Sequence, residues 1–589
     1  MGYGKQLHIF PRDLLARIAY YVVVDEDGGA GHPACLVPFY LSCRTIYQAI
    51  SFANNPQLYK ELFLATFDFK AMLRRFSWMA LHLTKKKSKV FHLFDDPRTW
   101  AADYRGRWET SRRLRHVARY GRINVEGVCD KTTFVEDLWN VWFLITENDG
   151  KNMPFLFKHC KFRQAFTIYY REVLLQESLL PGYPTDSGEK ALAAWCSLYA
   201  GIDMIGEDTP EEVDEKIFLF RPYVFACAKY DVTYASWRIS RLPLCDPDCK
   251  DHSVDPAIRS KAMVYRRFGY LWRRVPPHFI LAVYILFLRL LERQPDRVGL
   301  RTGGTTFSRT PFEANMPGIF SSYKIIHSYQ HDQEWQRNTA CQDPHTGQGL
   351  PVTAYRGSIQ GFWRGKFLFY DFTLYRQILG GNMRGVYTGM FAEQEVEMEL
   401  KETLVKVKKD QVGGDGQLLH AGFKDMEDMD EAVKFTAQGY GHRLAQDNEE
   451  DEEGWTKEIL ITGTGRTCWG RARIRGRVRT WDGLINMALA YDSDPSARWL
   501  WRGYLHTGGF LIGRWRDCFT PDHMRGYEGA FGMIRAGEAF YPDHFPKHME
   551  NTLGVDHASL QVAQPIPSDI SSYPSQPTNG SDNVIQSQQ

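Results

Sequence analysis

The chain has 589 residues, and its 72 Lys and Arg against 70 Asp and Glu leave a formal charge of +2. Hydrophobic residues make up 43 % and aromatics 14 %, enough to bury a large core, which excludes wholesale disorder. The near-zero charge argues against a coat for nucleic acid or an anionic membrane, and the length suggests about two to four domains.

In chain order, the first regime runs to about residue 300 and carries helical periodicity. Phe134, Leu138, Val141 and Ile145 recur at helical spacing, as do Phe162, Phe166, Tyr170, Val173 and Leu174. Behind Pro276 and Pro277, the residues Phe279, Ile280, Val283, Tyr284, Phe287, Leu288 and Leu291 form a wide apolar stripe that buries against other helices. The stretch Thr302 to Pro351 is rich in Gly, Thr and Gln and reads as a linker. From about 355 the period changes to two. The strands expected are Gly361 to Asp371, Val396 to Lys401, Glu458 to Thr462, Trp469 to Arg479, Leu484 to Tyr491, Arg498 to His506, Phe510 to Arg516 and Tyr527 to Ile534. Short even spacing with Gly-containing turns suggests an antiparallel meander, and about eight strands close an up-and-down barrel. Residues 424–431 and 447–453 are acidic and read as solvated loops. The last residues are rich in Ser, Pro, Gln and Asn and read as a disordered tail.

The 11 cysteines are odd in number and widely spread, which fits free thiols rather than a disulfide framework. No signal peptide is visible, and the longest apolar run, Phe279 to Leu288, is half the roughly twenty residues a membrane span needs. The expectation is an intracellular protein, in cytoplasm and/or nucleus, with no membrane and no nucleic-acid partner. Cys245, Cys249 and His252 lack the spacing of a zinc finger and a second ligand pair, so they read as a loop, with no metal or cofactor expected. Arg471, Arg473, Arg475, Arg477 and Arg479 occupy alternate positions, which on a strand places five guanidinium groups on one face. The reading is a solvated outer face paired with acidic loops; the rival is an anion- or partner-binding face. Basic residues also gather between Lys85 and Arg122, on what reads as a helical surface. No phosphate-binding loop, His-Glu-x-x-His pair, nucleophile elbow or kinase set is present, and Gly463 and Gly465 mark a turn, so the chain reads as a non-enzyme.

The N-terminus carries a more specific pattern. Phe10-Pro-Arg-Asp-Leu-Leu-Ala-Arg-Ile-Ala19 is followed by Leu36, Leu41, Cys43, Arg44 and Ile46, and then by Asn55-Pro-Gln-Leu-Tyr59 with Leu62 and Phe63. This order resembles an F-box, with Phe10 in place of the usual Leu and residues 25–33 inserted between the first two helices. Further segments are similar to a family of F-box proteins from basidiomycete fungi. They are Leu144-Ile-Thr-Glu-Asn-Asp-Gly-Lys-Asn152, Val275-Pro-Pro-His278, Gly361-Phe-Trp-Arg-Gly365, Gly476-Arg-Val-Arg-Thr-Trp-Asp-Gly-Leu-Ile485, Arg498-Trp-Leu-Trp-Arg-Gly-Tyr504 and Gly513-Arg-Trp-Arg-Asp-Cys-Phe-Thr-Pro521. The Gly361-x-Trp363 pair also resembles the first-strand signature of lipocalin-like barrels.

The resemblance implies an α+β multidomain protein. Residues 1–68 would form a three-helix F-box, 69–300 a helical middle region, 301–354 a linker, 355–540 an antiparallel, lipocalin-like β-barrel and 541–589 a disordered tail. It implies a substrate receptor of an SCF-type ubiquitin ligase that docks a Skp-family adaptor and, through it, a cullin. The alternative is a ligand-binding or scaffold protein acting outside ubiquitin ligation. By position in the motif, Pro11, Leu14, Leu15, Ile18, Leu36, Leu41 and Ile46 are the expected adaptor anchors, with about half also serving the helical core. Trp363, Trp501, Arg514, Trp515 and Arg516 are the expected ligand-binding set, suited to a carboxylate or acidic peptide end.

Overall fold

The computed structural model describes residues 10–24, 31–83, 92–202, 209–237, 242–244, 260–293, 319–320, 327–408, 442–444, 454–467, 469–494, 498–520 and 524–536. Cys245, Cys249, His252, both acidic segments and the 541–589 tail lie outside the described residues.

Helix α1 (Arg12–Val23) starts behind Pro11 and buries Leu15, Ala19 and Val23, one residue per turn. It packs on α3 (Arg44–Ile50), which follows the short α2 (Val37–Ser42), and on α4 (Pro56–Thr66). Asn55 caps α4 by accepting the Leu58 N–H, and Pro56 takes the first position, where its missing N–H costs nothing. Helix α4 faces away from α1 as well: Phe63 and Phe67 pack edge-on against Trp100, Tyr104 and Phe155 of the next helices. Those helices are α5 (Lys70–His82), α6 (Pro97–Tyr120), α7 (Lys131–Thr146), α8 (Asn152–Cys160), α9 (Phe162–Tyr169), α10 (Gly188–Ala200) and α11 (Pro210–Phe225). A hairpin, β1 (Met263–Arg267) and β2 (Tyr270–Arg274), interrupts the series; both turn residues, Phe268 and Gly269, have positive φ, the type I′ geometry of a two-residue turn. Helix α12 (Phe279–Arg293) is buried at every position from Phe279 to Leu291, as its nearly all-round apolar sequence requires.

After the short α13 (Asp332–Ala340) comes the barrel. Strand β3 (Gly361–Tyr370) leads through α14 (Phe372–Leu379) and α15 (Met383–Thr388) to β4 (Phe391–Lys408). The meander continues as β5 (His442–Leu444), β6 (Trp455–Thr467), β7 (Gly470–Val478), β8 (Ile485–Tyr491), β9 (Arg498–His506), β10 (Phe510–Asp517) and β11 (Glu528–Arg535). All pairings are antiparallel, and β3 pairs with both β11 and β4, which closes a ring of eight strands with β5 added beside β4. The expected strands lie within these elements to a residue or two, except that β4 is three times the expected length and β6 runs on to Thr467, so that Gly463 and Gly465, expected at a turn, are paired on both sides within the sheet. Its second half keeps pairing with β6 as far as Lys408–Trp455.

For its described part, 319–320 and 327–354, the expected linker is overturned. The described part of 301–354 contains α13, where Trp335, Arg337 and Asn338 are buried, and it ties both halves together. Asp332 bonds Arg75 of α5 at 2.8 Å, Glu334 accepts from Thr507 at the β9–β10 turn, and Arg337 donates to the Leu505 carbonyl. The polar composition suggested solvent, but these polar groups find partners inside. The separate helical and barrel domains are corrected by the same observation: one continuous hydrophobic core runs from Leu15 to Met533. Helix α12 lies on the outer wall of β10 and β11, where Tyr284 accepts from Arg514 Nε at 2.9 Å.

Candidate functional site

Two places hold the residues the sequence singled out. The first is the N-terminal helical cluster. Leu15, Leu36 and Ile46 are buried and hold the helices together. Pro11 is exposed and Ile18 is half-buried. Leu14 is 44 % exposed and Leu41 is 80 % exposed. The seven expected anchors therefore split into a core set and an outward set. Helical geometry explains the split on α1: Leu15, Ala19 and Val23 form the buried row, and Leu14, Ile18 and Val22 form a second apolar row beside it. Tyr21, Val37 and Tyr47 add exposed apolar surface on the same three helices, α1 to α3. Arg17 rests over the Tyr20 and Tyr21 rings and donates to Tyr21 Oη, so one polar group already borders the patch.

The second place is the barrel, and here the five-residue set separates. Cross-strand register puts Trp501 opposite Trp515 and opposite Met487, so these side chains share a face. That face is the interior, because Phe367 of β3 meets Trp501 of β9 with ring centroids 5.6 Å apart, although two strands lie between them. Trp363 is buried and donates its indole N–H to the Ile359 carbonyl at 2.7 Å. Trp515 packs among Phe367, Phe369, Trp499 and Tyr527. Arg514 and Arg516 point the other way. Arg514 lies against α12, and Arg516 donates to the carbonyls of Asp517 and Thr520. The proposed meeting of tryptophans and guanidinium groups on one ligand does not occur: neighbouring residues on a strand face opposite sides of the sheet. What converges is an aromatic interior, with Trp469 of the β6–β7 turn 36 % exposed at one end and its ring against Phe367, Phe369, Tyr491 and Trp499.

The alternating arginines do lie on the outside of β7, with Ala472, Ile474 and Val478 inside. Most are engaged. Arg473 lies 3.6 Å from Asp492, Arg477 pairs with Glu458, and Arg475 donates to the Ile474 carbonyl. Arg479 is buried, bidentate on Asp482 and bonded to the carbonyls of Ala235 and Ser236. Four of the five guanidinium groups are thus engaged on the wall itself, and Arg471, at the exposed start of β7, has no side-chain partner among the described residues.

The sequence reading missed two buried polar groups. In one, Glu147 gathers Arg75, Arg107 and Arg267. In the other, Glu334 accepts from Tyr199 at 2.7 Å and lies 3.6 Å from His506 Nδ1, whose ring stacks on Trp195. Glu147, next to the apolar run ending at Ile145, and His506, at the end of an apolar strand, were the only hints, while Glu334 lies in a polar stretch that gave none. A cleft of about 490 Å³ lies between α6 and α7, lined in part by Asn124, Val128, Cys129, Asp130 and Thr133. Asp130 is used there as the cap of α7, and burial pushes the Cys129 thiol up, which keeps it protonated. Among the described residues no His, Cys, Asp and Glu cluster could hold a metal ion, and no helix is long and apolar enough to cross a membrane.

Fold and site together define an α+β protein in which a closed eight-stranded antiparallel barrel is built onto a helical body. No protein-family model matches the chain, and no curated protein or solved structure matches it.

Proposed function

We propose that the chain is an adaptor-docking receptor: its N-terminal helices, which resemble an F-box, engage a Skp-family adaptor of an SCF-type ubiquitin ligase, and the helical body and barrel present substrate. The observation that carries this reading is the second apolar row of α1, with Leu14 and Leu41 in solvent on a cluster whose core is already filled by Leu15, Leu36 and Ile46. Exposed apolar side chains at helical spacing are the anchors of helix-against-helix recognition. Because α4 is part of the main core, truncation is a poor test, and surface substitutions are the right one. In the full chain, Leu14→Asp with Leu41→Asp is expected to abolish co-purification of adaptor and cullin while leaving the melting temperature within a few degrees of the parent. Undiminished capture by the double variant sinks the reading.

A second reading, a ligand carrier outside ubiquitin ligation, is favoured by the aromatic barrel interior with Trp469 at its end. Native mass spectrometry of the purified chain separates the two: a bound apolar small molecule lost in Trp469→Ala supports the carrier.

A further inference from the structure

The β1–β2 hairpin is a sheet of two strands, with its inner face, Tyr265, Arg267 and Arg274, buried in the helical body. Its outer face carries Val264, 55 % exposed, and Leu271, 64 % exposed, together with the exposed Arg266 and Arg273. Neither arginine has a carboxylate partner among the described residues. The register fixes which backbone groups face outward. A two-residue turn makes Arg267–Tyr270 the hydrogen-bonded closing pair. Alternation then makes Arg266–Leu271 and Val264–Arg273 the non-hydrogen-bonded pairs. Gln342 Nε2 donates to the Arg273 carbonyl at 2.9 Å, which agrees, because that carbonyl points away from β1. The N–H and C=O groups of Val264 and Arg266 therefore point out of the β1 edge, and no described strand pairs with them. An open edge of this kind is a template for an added strand.

We propose that the β1 edge binds an extended acidic–apolar peptide segment of a partner protein as a third strand. The incoming backbone would bond Val264 and Arg266. Its outward side chains, two residues apart, would set an aliphatic group beside Val264 and a carboxylate beside Arg266, with Arg273 one strand further in. Basic segments are disfavoured by the two guanidinium groups, which have no carboxylate partner among the described residues. This surface lies outside the N-terminal adaptor patch and stands or falls separately from it.

The test uses the full chain and a labelled eight-residue peptide in which Thr alternates with Leu and Glu, followed by fluorescence anisotropy. Val264→Pro removes only an outward N–H, so the hairpin is expected to persist while peptide affinity falls at least about tenfold. Arg266→Glu is expected to weaken binding similarly and to favour the same peptide with Lys in place of Glu. Adaptor capture should be unchanged in both variants. Absence of binding to the parent chain, an unchanged affinity in Val264→Pro, or indifference of Arg266→Glu to peptide charge each overturns the proposal.

Discussion

Glu147 shows how much one residue can hold. It is completely buried, Arg267 reaches its two oxygens at 2.6 and 2.7 Å, and Arg107 reaches it at 3.1 Å. Asp103 serves the same two arginines, so α5, α6, α7 and β1 meet in one ion network. Burial pushes the Glu147 carboxyl up, but Arg267 foremost, with Arg107 and Arg75, pulls it below the ordinary carboxylate range. A depressed carboxylate contributes stability above its unfolded value, about 4.3, and loses it as pH falls further. Glu147→Gln is expected to cost roughly 3–5 kcal/mol at pH 7, because it strands buried guanidinium groups, and to flatten the acid limb below pH ~4. Urea denaturation at pH 7 and in steps from about pH 5 to pH 2 measures both effects; a loss under about 1 kcal/mol at pH 7 would mean the arginines find other partners. His331 gives a separate limb. Burial, helped by Arg75, pushes it down to about 3, so it is neutral in the fold. Its contribution is present above its unfolded value, about 6.5, and is lost as pH falls from there toward 3. His331→Asn is expected to reduce the slope of stability most clearly between about pH 6.5 and 4.5, above the range where Glu147 begins to contribute.

At the scale of elements, the contact of α12 with the barrel wall decides the architecture. Gly532 on β11 leaves room for Leu288 and Ile285, and Tyr284 holds Arg514. Tyr284→Phe removes the acceptor from a buried guanidinium and is expected to cost about 1.5–3 kcal/mol in chemical denaturation, with the barrel's far-ultraviolet dichroism retained. Gly513 is a stricter case. A Cβ there would stand 1.9 Å from the Arg502 carbonyl oxygen and 2.5 Å from Gly503 Cα, both backbone atoms that cannot swing aside. Gly513→Ala is therefore expected to disrupt the β9–β10 pairing and lower soluble yield far more than Gly532→Ala, where the obstacles are side-chain ends. The strands themselves were legible because a two-residue period is written directly in residue order. The same period could have told that Arg514 and Trp515 face opposite ways, which the single-ligand reading overlooked. It could not tell which face is the interior, since both faces of β10 are apolar enough to be buried once α12 covers the outer one.

At the scale of the molecule, the shared core makes the helical body and the barrel one folding unit. Phe510, Ile512 and Tyr504 on the barrel's outer wall are completely buried. A fragment of residues 355–540 would expose this wall and lose the α13 bolts at Leu505 and Thr507. The full chain is expected to unfold in one transition, with tryptophan fluorescence and far-ultraviolet dichroism coincident. The isolated fragment is expected to aggregate or melt well below it. Two resolved transitions in the full chain would contradict a shared core.

By itself the sequence determined the main apolar helices, the eight strands of the closed barrel and the N-terminal motif that suggests an adaptor; it did not show the β1–β2 hairpin, β5 or helices α13 to α15. The elements it determined follow from periodicity and from turn chemistry, which act between near neighbours. Only the tertiary structure decided which of Leu14, Leu15, Leu36 and Leu41 are surface and which are core, that α13 in the expected linker is packed into the body, and that Trp501 and Trp515 face the barrel interior while Arg514 and Arg516 face away from it. Those outcomes depend on what each face meets across hundreds of residues, and a local pattern of apolar and charged residues does not carry that information.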